Sequence, residues 1–98
     1  MDAAEPAERQ RLDLWLWHAR VVRSRSSATQ LVRSGHVRLD GARVTSAGHG
    51  VRLGQVVTVA LERGVRVLRV RGFSPRRGNA TAASEIFDEL TSNESEFS

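Results

Sequence analysis

From Leu12 the apolar positions fall at Leu12, Trp15, Leu16, Ala19 and Val22, the 0, 3, 4, 7, 10 spacing that lines one face of an α-helix. This pattern predicts a first helix over 13–22 with Asp13 as its N-cap. Ser24 announces a second helix before Arg25; Ala28, Leu31 and Val32 form its apolar stripe, and Gly35, which turns left-handed at little cost, ends it. Past Gly35 the period drops to two. Val37 and Leu39 alternate with His36 and Arg38, Asp40-Gly41 gives a tight-turn signal, and Ala42 and Val44 alternate with Arg43 and Thr45, which is the pattern of a β-hairpin. The glycine-rich stretch 46–50 leads to Val51 and Leu53. The strongest strand, 56–61, then turns at Glu62-Arg63-Gly64 into a strand over 65–71, where a slip between Val67 and Leu68 predicts a bulge. Residues 73–78 read as a loop and 80–90 as a short C-terminal helix docking Ile86, Phe87 and Leu90.

The expected class is α+β: two N-terminal helices packed on a small, bent antiparallel sheet, followed by a short C-terminal helix. Residues 1–10 read as a flexible acidic leader, 11–72 as the folded domain, 73–90 as loop and helix, and 91–98 as a disordered tail. The 98 residues suffice for one small domain.

Charge changes the picture. Residues 9–77 hold all 15 arginines against Asp13, Asp40 and Glu62, a local net of +12, while both ends are acidic and bring the chain to +4. A compact unit with such an excess repels itself unless a polyanion balances it, and nucleic acid is the usual polyanion. A membrane surface or an acidic protein would balance it too. The absence of cysteine excludes a disulfide framework, a thiolate zinc site and a thiol nucleophile. His18, His36 and His49 lack metal-site spacing, no Ser-His-Asp pattern occurs, and 46–54 lacks the lysine of a P-loop. The expectation is therefore no catalysis, no metal and no cofactor. With no membrane-length apolar run and no signal sequence, the expected protein is soluble and cytoplasmic.

The hairpin is the most informative place. A two-residue turn at Asp40-Gly41 opposes Arg38 and Arg43 on its outer face, which is unfavourable by some tenths of a kcal/mol unless an anion lies between them. The guanidinium groups either splay into water or clamp a phosphate. The second helix starts at Ser24 with Arg25 and Ser26, offering free N–H groups and a positive dipole end. Arg33 and His36 continue the strip toward the hairpin, and Arg11 flanks it. Trp15 lies on the buried stripe; Trp17 lies on a second stripe with Leu14 and Val21 and is expected to meet the C-terminal helix. With few aromatic platforms, shape is read more than sequence.

The string Arg11-Leu12-Asp13, Ser24-Arg25 with Ala28, Leu31-Val32, Gly35-His36-Val37, Asp40-Gly41, and Val51 with Gly54 resembles the RNA-binding domain named after ribosomal protein S4. That family's fold, two helices on a small bent sheet, agrees with the reading above. Its RNA-facing surface is the second helix with the following hairpin, within the alpha-L motif of two helices on a bent sheet. The run 11–17 with its tryptophans, Arg76-Arg77-Gly78, Ala83-Ser84-Glu85 and Phe87-Asp88-Glu89 are similar to the bacterial heat shock protein 15 subgroup. Gln55 stands where the broader family has Asp, and the chain stops where the heat-shock members continue into a basic tail, nearer in length to the short ribosome quality-control factor P. The resemblance implies a non-catalytic protein that binds ribosomal RNA on the large subunit, beside peptidyl transfer RNA, in rescue or quality control; a monomer is expected. An adapter for an acidic protein and a DNA-binding module are the alternatives. The RNA-binding residues implied are Arg11, Ser24, Arg25, Ser26, Arg33, His36, Arg38 and Arg43.

Overall fold

In the computed structural model, residues 9–90 are described. Their elements run β1 (Arg9–Arg11), α1 (Leu12–His18), α2 (Arg25–Arg33), β2 (Val37–Leu39), β3 (Ala42–Arg43), β4 (Gly50–Arg52), β5 (Val56–Leu61), β6 (Gly64–Val70), α3 (Ala80–Ser84) and β7 (Phe87–Glu89). A five-stranded antiparallel sheet has the order β3-β2-β5-β6-β7, and β1 pairs with β4 in a separate two-stranded ribbon. The core joins Leu12, Trp15 and Leu16 of α1 and Ala28 and Val32 of α2 to the inward residues Val37, Leu39, Val57, Val59, Leu68 and Val70 of the sheet. The expected α+β architecture holds.

Helix α1 is shorter than its apolar stripe. Its first N–H groups need no side-chain cap, because Leu12 and Asp13 donate to the carbonyls of His49 and Ala47 at 2.8 and 3.1 Å. Asp13 is therefore freed from the N-cap role expected of it and lies buried inside the first turn. The helix stops at His18 in a Schellman turn: Val21 N–H donates to the Leu16 carbonyl, Arg20 N–H to that of Trp17, and Arg20 takes the left-handed φ of +61°. A non-glycine residue there is strained by about 1 kcal/mol or more. Its guanidinium, bonded to the Gly78 carbonyl at 2.8 Å, helps to fix it. Val22 still reaches the core, which is why the stripe outlasts the helix.

Three further expectations are revised. The β5–β6 register runs unbroken from Val56↔Arg69 to Leu61↔Gly64, without a bulge; the apolar alternation lapses because an inner position is taken by Arg66, whose guanidinium lies 5.7 Å from the Phe87 ring centre. The C-terminal helix ends at Ser84, and Phe87–Glu89 instead form a strand that extends the sheet beyond β6, seating Ile86 in the core. Arg9 and Gln10, placed in the leader by composition, are paired in β1. The remainder of the leader, 1–8, and the tail, 91–98, lie outside the described residues. Trp15 is fully buried, donating from Nε1 to the Gly72 carbonyl at 3.0 Å. Trp17 meets Arg77 and His18.

His18 is 4% exposed, and its Nδ1 has no hydrogen-bond partner among the described residues. Burial holds its pKa below the ordinary histidine value; the Ser74 carbonyl opposes this, and the charges of Arg25 and Arg77 reinforce it. The unfolded chain thus binds the proton that the folded chain resists. The associated stability is complete above about pH 6.5 and falls as pH drops from there through the lowered folded value. Urea titrations between pH 7 and 5 should show this fall, and His18→Gln should flatten it; equal slopes would remove His18 as the cause.

Candidate nucleic-acid interface

Helix α2 begins at Ser24, whose Oγ accepts from the Ser27 N–H at 3.1 Å and donates to the Ser27 hydroxyl at 3.0 Å. The Ser24 hydroxyl is thus committed to the cap, and what it offers a ligand is the geometry of the turn. The backbone N–H groups of Arg25 and Ser26, among the described residues, have no acceptor and sit at the positive end of the helix. Ser26, Gln30 and Arg33 are exposed on the face opposite Ala28 and Val32.

Asp13 organises this end of the molecule. Only 2% exposed, it accepts at Oδ1 from the Leu14 N–H (2.7 Å) and Arg11 Nε (3.0 Å), and at Oδ2 from Arg11 Nη2 (3.0 Å) and the Thr29 hydroxyl (3.4 Å). Arg25 Nε stands 3.6 Å from the same Oδ2. Burial alone would raise its pKa; the Arg11 hydrogen bonds, the Leu14 N–H and the charges of both arginines outweigh burial and hold it below the usual carboxylate value. One buried carboxylate therefore ties β1, α1 and α2 together and fixes two half-exposed guanidinium groups beside the α2 N-terminus. The sequence reading missed this function of Asp13. The available signal was its rarity, as one of three carboxylates within 9–77.

At its other end α2 stops through Gly35, at φ +82°, with His36 N–H donating to the Leu31 carbonyl. Gly35 also makes room, since a β-carbon there would stand 3.3 Å from Arg43 Cδ. The stem of Arg43 thus crosses the helix end and joins the hairpin to α2. Asp40 and Gly41, at φ +51° and +85°, form the turn with positive φ at both central residues, and Arg38 faces Arg43 in register as expected. Both arginines and His36 are exposed. Asp40 accepts from the Val56 N–H at 2.9 Å and from Gln55 Nε2 at 3.3 Å, while Gln55 Oε1 accepts from the Arg52 N–H. An amide at position 55 thus does what a carboxylate there would not: it donates to Asp40.

Several cations elsewhere are engaged. Arg66 pairs with Glu89, Arg71 with Asp88 at 3.2 Å, and Arg77 donates to the carbonyls of Trp17 and Val22. Arg33, Arg38 and Arg43, among the described residues, have no carboxylate partner. No three His, Asp or Glu side chains among the described residues converge as metal ligands, and no helix among them is long and apolar enough to cross a membrane.

Comparison with known proteins supplies the class: residues 10–57, just under half of the chain, match the S4 domain, covering both helices, the hairpin and β4. A small ribosomal subunit protein uS4 from Exiguobacterium is 43% identical over 49 residues, 50% of this chain and 25% of that protein. A solved structure of heat shock protein 15 from Vibrio cholerae, described as trimeric, is similar with a TM-score of 0.79 and 30% identity over 85% of this chain and 83% of that one. The heat shock protein 15 homolog of Aeromonas salmonicida is 34% identical over 88% of this chain and 64% of its own length. This chain belongs to the heat shock protein 15 family of S4-domain proteins. It spans slightly under two thirds of the length of the curated relatives of that name.

Proposed function

We propose that this chain is a non-catalytic RNA-binding protein that grips structured ribosomal RNA on the large subunit and serves the rescue or quality control of stalled nascent-chain complexes, with peptidyl transfer RNA as the neighbouring ligand. The carrying observation is the sorting of charge. Arg66 and Arg71 are paired with Glu89 and Asp88, whereas among the described residues Arg33, Arg38 and Arg43 of α2 and the hairpin have no carboxylate partner, and Asp13 positions Arg25 of α2 together with Arg11 of β1. Arg25 and the free N–H groups of α2 hold one phosphate; Arg33 and His36 continue the track, and Arg38 with Arg43 grip a second phosphate beside the turn. Arg11 and Ser26 flank the strip. The proposed binding unit is a monomer. Contacts to phosphate and sugar read the shape of an RNA helix rather than its sequence. Membership of the heat shock protein 15 family supports the ribosomal setting.

Sedimentation tests this. The protein should travel with large subunits in preference to small ones, and more so when translation is halted with peptidyl transfer RNA in place. Arg33→Glu should abolish co-sedimentation with folding intact; it is the cleaner reversal, because Arg25→Glu would set a second carboxylate against Asp13. With about four to six phosphate contacts, affinity for free RNA should fall with salt at a log-log slope of roughly −3 to −5. A protein that remains at the top of the gradient yet binds free RNA loses the ribosomal role; a flat salt response removes phosphate dominance.

A further inference from the structure

The ribbon of β1 and β4 carries a second group of cations. Side chains alternate along β1, so Arg9 and Arg11 are exposed on one face while Gln10 turns the other way, donating from Nε2 to the Ser74 carbonyl at 2.9 Å. The register sets Arg9 opposite Arg52 and Arg11 opposite Gly50. This is a second arginine pair opposed across two antiparallel strands, after Arg38 and Arg43, and like charges so placed repel. Among the described residues neither Arg9 nor Arg52 has a carboxylate partner.

Beside these arginines lies an open hollow of about 350 Å³ lined by Arg9, Gln10, Arg11, Gly48 and Gly50. It is roughly ten times the share of liquid volume of one water molecule. The glycines make it. A β-carbon at residue 50 would stand 3.0 Å from Arg9 Cδ, and one at residue 48 would stand 3.4 Å from Arg11 Nη1. Neither glycine has the positive φ that would require glycine, so what the two positions provide is space for guanidinium stems lying across the chain. Arg11 presents Nε and Nη2 to Asp13, which leaves Nη1 over Gly48.

We infer that this ribbon is a phosphate clamp in its own right, holding a phosphodiester of the bound RNA strand among Arg9, Arg11 and Arg52. The inference rests on the RNA-binding proposal and extends the bound strand beyond the α2 N-terminus, because Arg11 and Arg25 share Asp13. The chemistry selects phosphate: the groups offered are guanidinium donors suited to an oxyanion, and the lining has no apolar anchor of the kind a protein partner uses.

The test titrates purified large-subunit ribosomal RNA against the full chain at several salt concentrations. The Arg9→Ala/Arg52→Ala variant should bind about tenfold more weakly, with a log-log salt slope shallower by about 0.7 to 0.9, the value for one lost phosphate contact. A charge-matched control, Arg69→Ala/Arg76→Ala, should keep the wild-type slope. Thermal melting should change little, since the two substituted arginines, Arg9 and Arg52, are exposed. If the double variant melts early, Arg52→Ala alone decides the matter, with weaker binding than wild type and a slope shallower by at most about 0.7 to 0.9. Behaviour like the control overturns the clamp while RNA binding by the wild type stands; a wild type that does not bind this RNA overturns both.

Discussion

Asp13→Ala should lower stability by about 2 to 3 kcal/mol, on the scale of hydrogen bonds to a charged group that is almost fully buried. For a domain of this size that corresponds to a fall of roughly 10 to 20 °C in melting temperature. The arginines left behind are half exposed and can turn to water, which keeps the loss below that of a buried pair broken in the interior. Asp13→Asn should cost less, because an amide oxygen can still accept from the Leu14 N–H. Acid should reproduce the effect. The Asp13 carboxyl is held below its ordinary value in the fold, so its contribution is complete above about pH 4 and disappears as pH falls through the lowered folded value. Urea denaturation of wild type and Asp13→Ala should therefore converge in acid. RNA affinity should fall as well, since Arg11 and Arg25 lose the group that orients them. A variant within 0.5 kcal/mol of wild type at pH 7 would show that the carboxylate is not the organiser described here.

Arg38→Ala and Arg43→Ala should each weaken RNA binding by about 1 to 2 kcal/mol, or roughly 5- to 30-fold, with the double variant less than additive because both hold the same anion. The structure separates their effects on the free protein. Removing Arg38 relieves a like-charge pair and should leave stability unchanged or slightly higher. Removing Arg43 also strips the stem lying against Gly35 and should lower stability by a few tenths of a kcal/mol, which Arg43→Lys should restore. Fluorescence anisotropy with ribosomal RNA, paired with melting curves, measures both. Strictly additive losses would mean two separate phosphates, and an unaffected double variant would remove the hairpin from the interface.

The α2 cap, its glycine stop and the hairpin turn were legible because each is fixed by neighbours within a few residues: Ser24 reaches Ser27, Gly35 closes on Leu31 and Val32, and Asp40-Gly41 sets the register of Arg38 and Arg43. The candidate strip on these elements was legible with them. The end of α1 was not, because Arg20 adopts a left-handed conformation that its residue type does not advertise, and its guanidinium is bonded to a carbonyl 58 positions away. The C-terminal segment held a helical signal over 80–84, yet the next residues became a strand because β6 offered an unpaired edge and its arginines offered partners for Asp88 and Glu89.

By itself the sequence determined the class of fold, the order of its main elements and the strongly basic centre, since periodicity, caps, turns and net charge are properties of short stretches or of composition. Only the tertiary structure decided which arginines are balanced and which are free. That sorting depends on contacts between distant segments: Asp13 bringing Arg11 to Arg25, β7 neutralising Arg66 and Arg71, and β4 setting Arg52 against Arg9. A count of charges gives their sum, but the strength of each ion pair depends on separation and burial, which only the folded chain supplies.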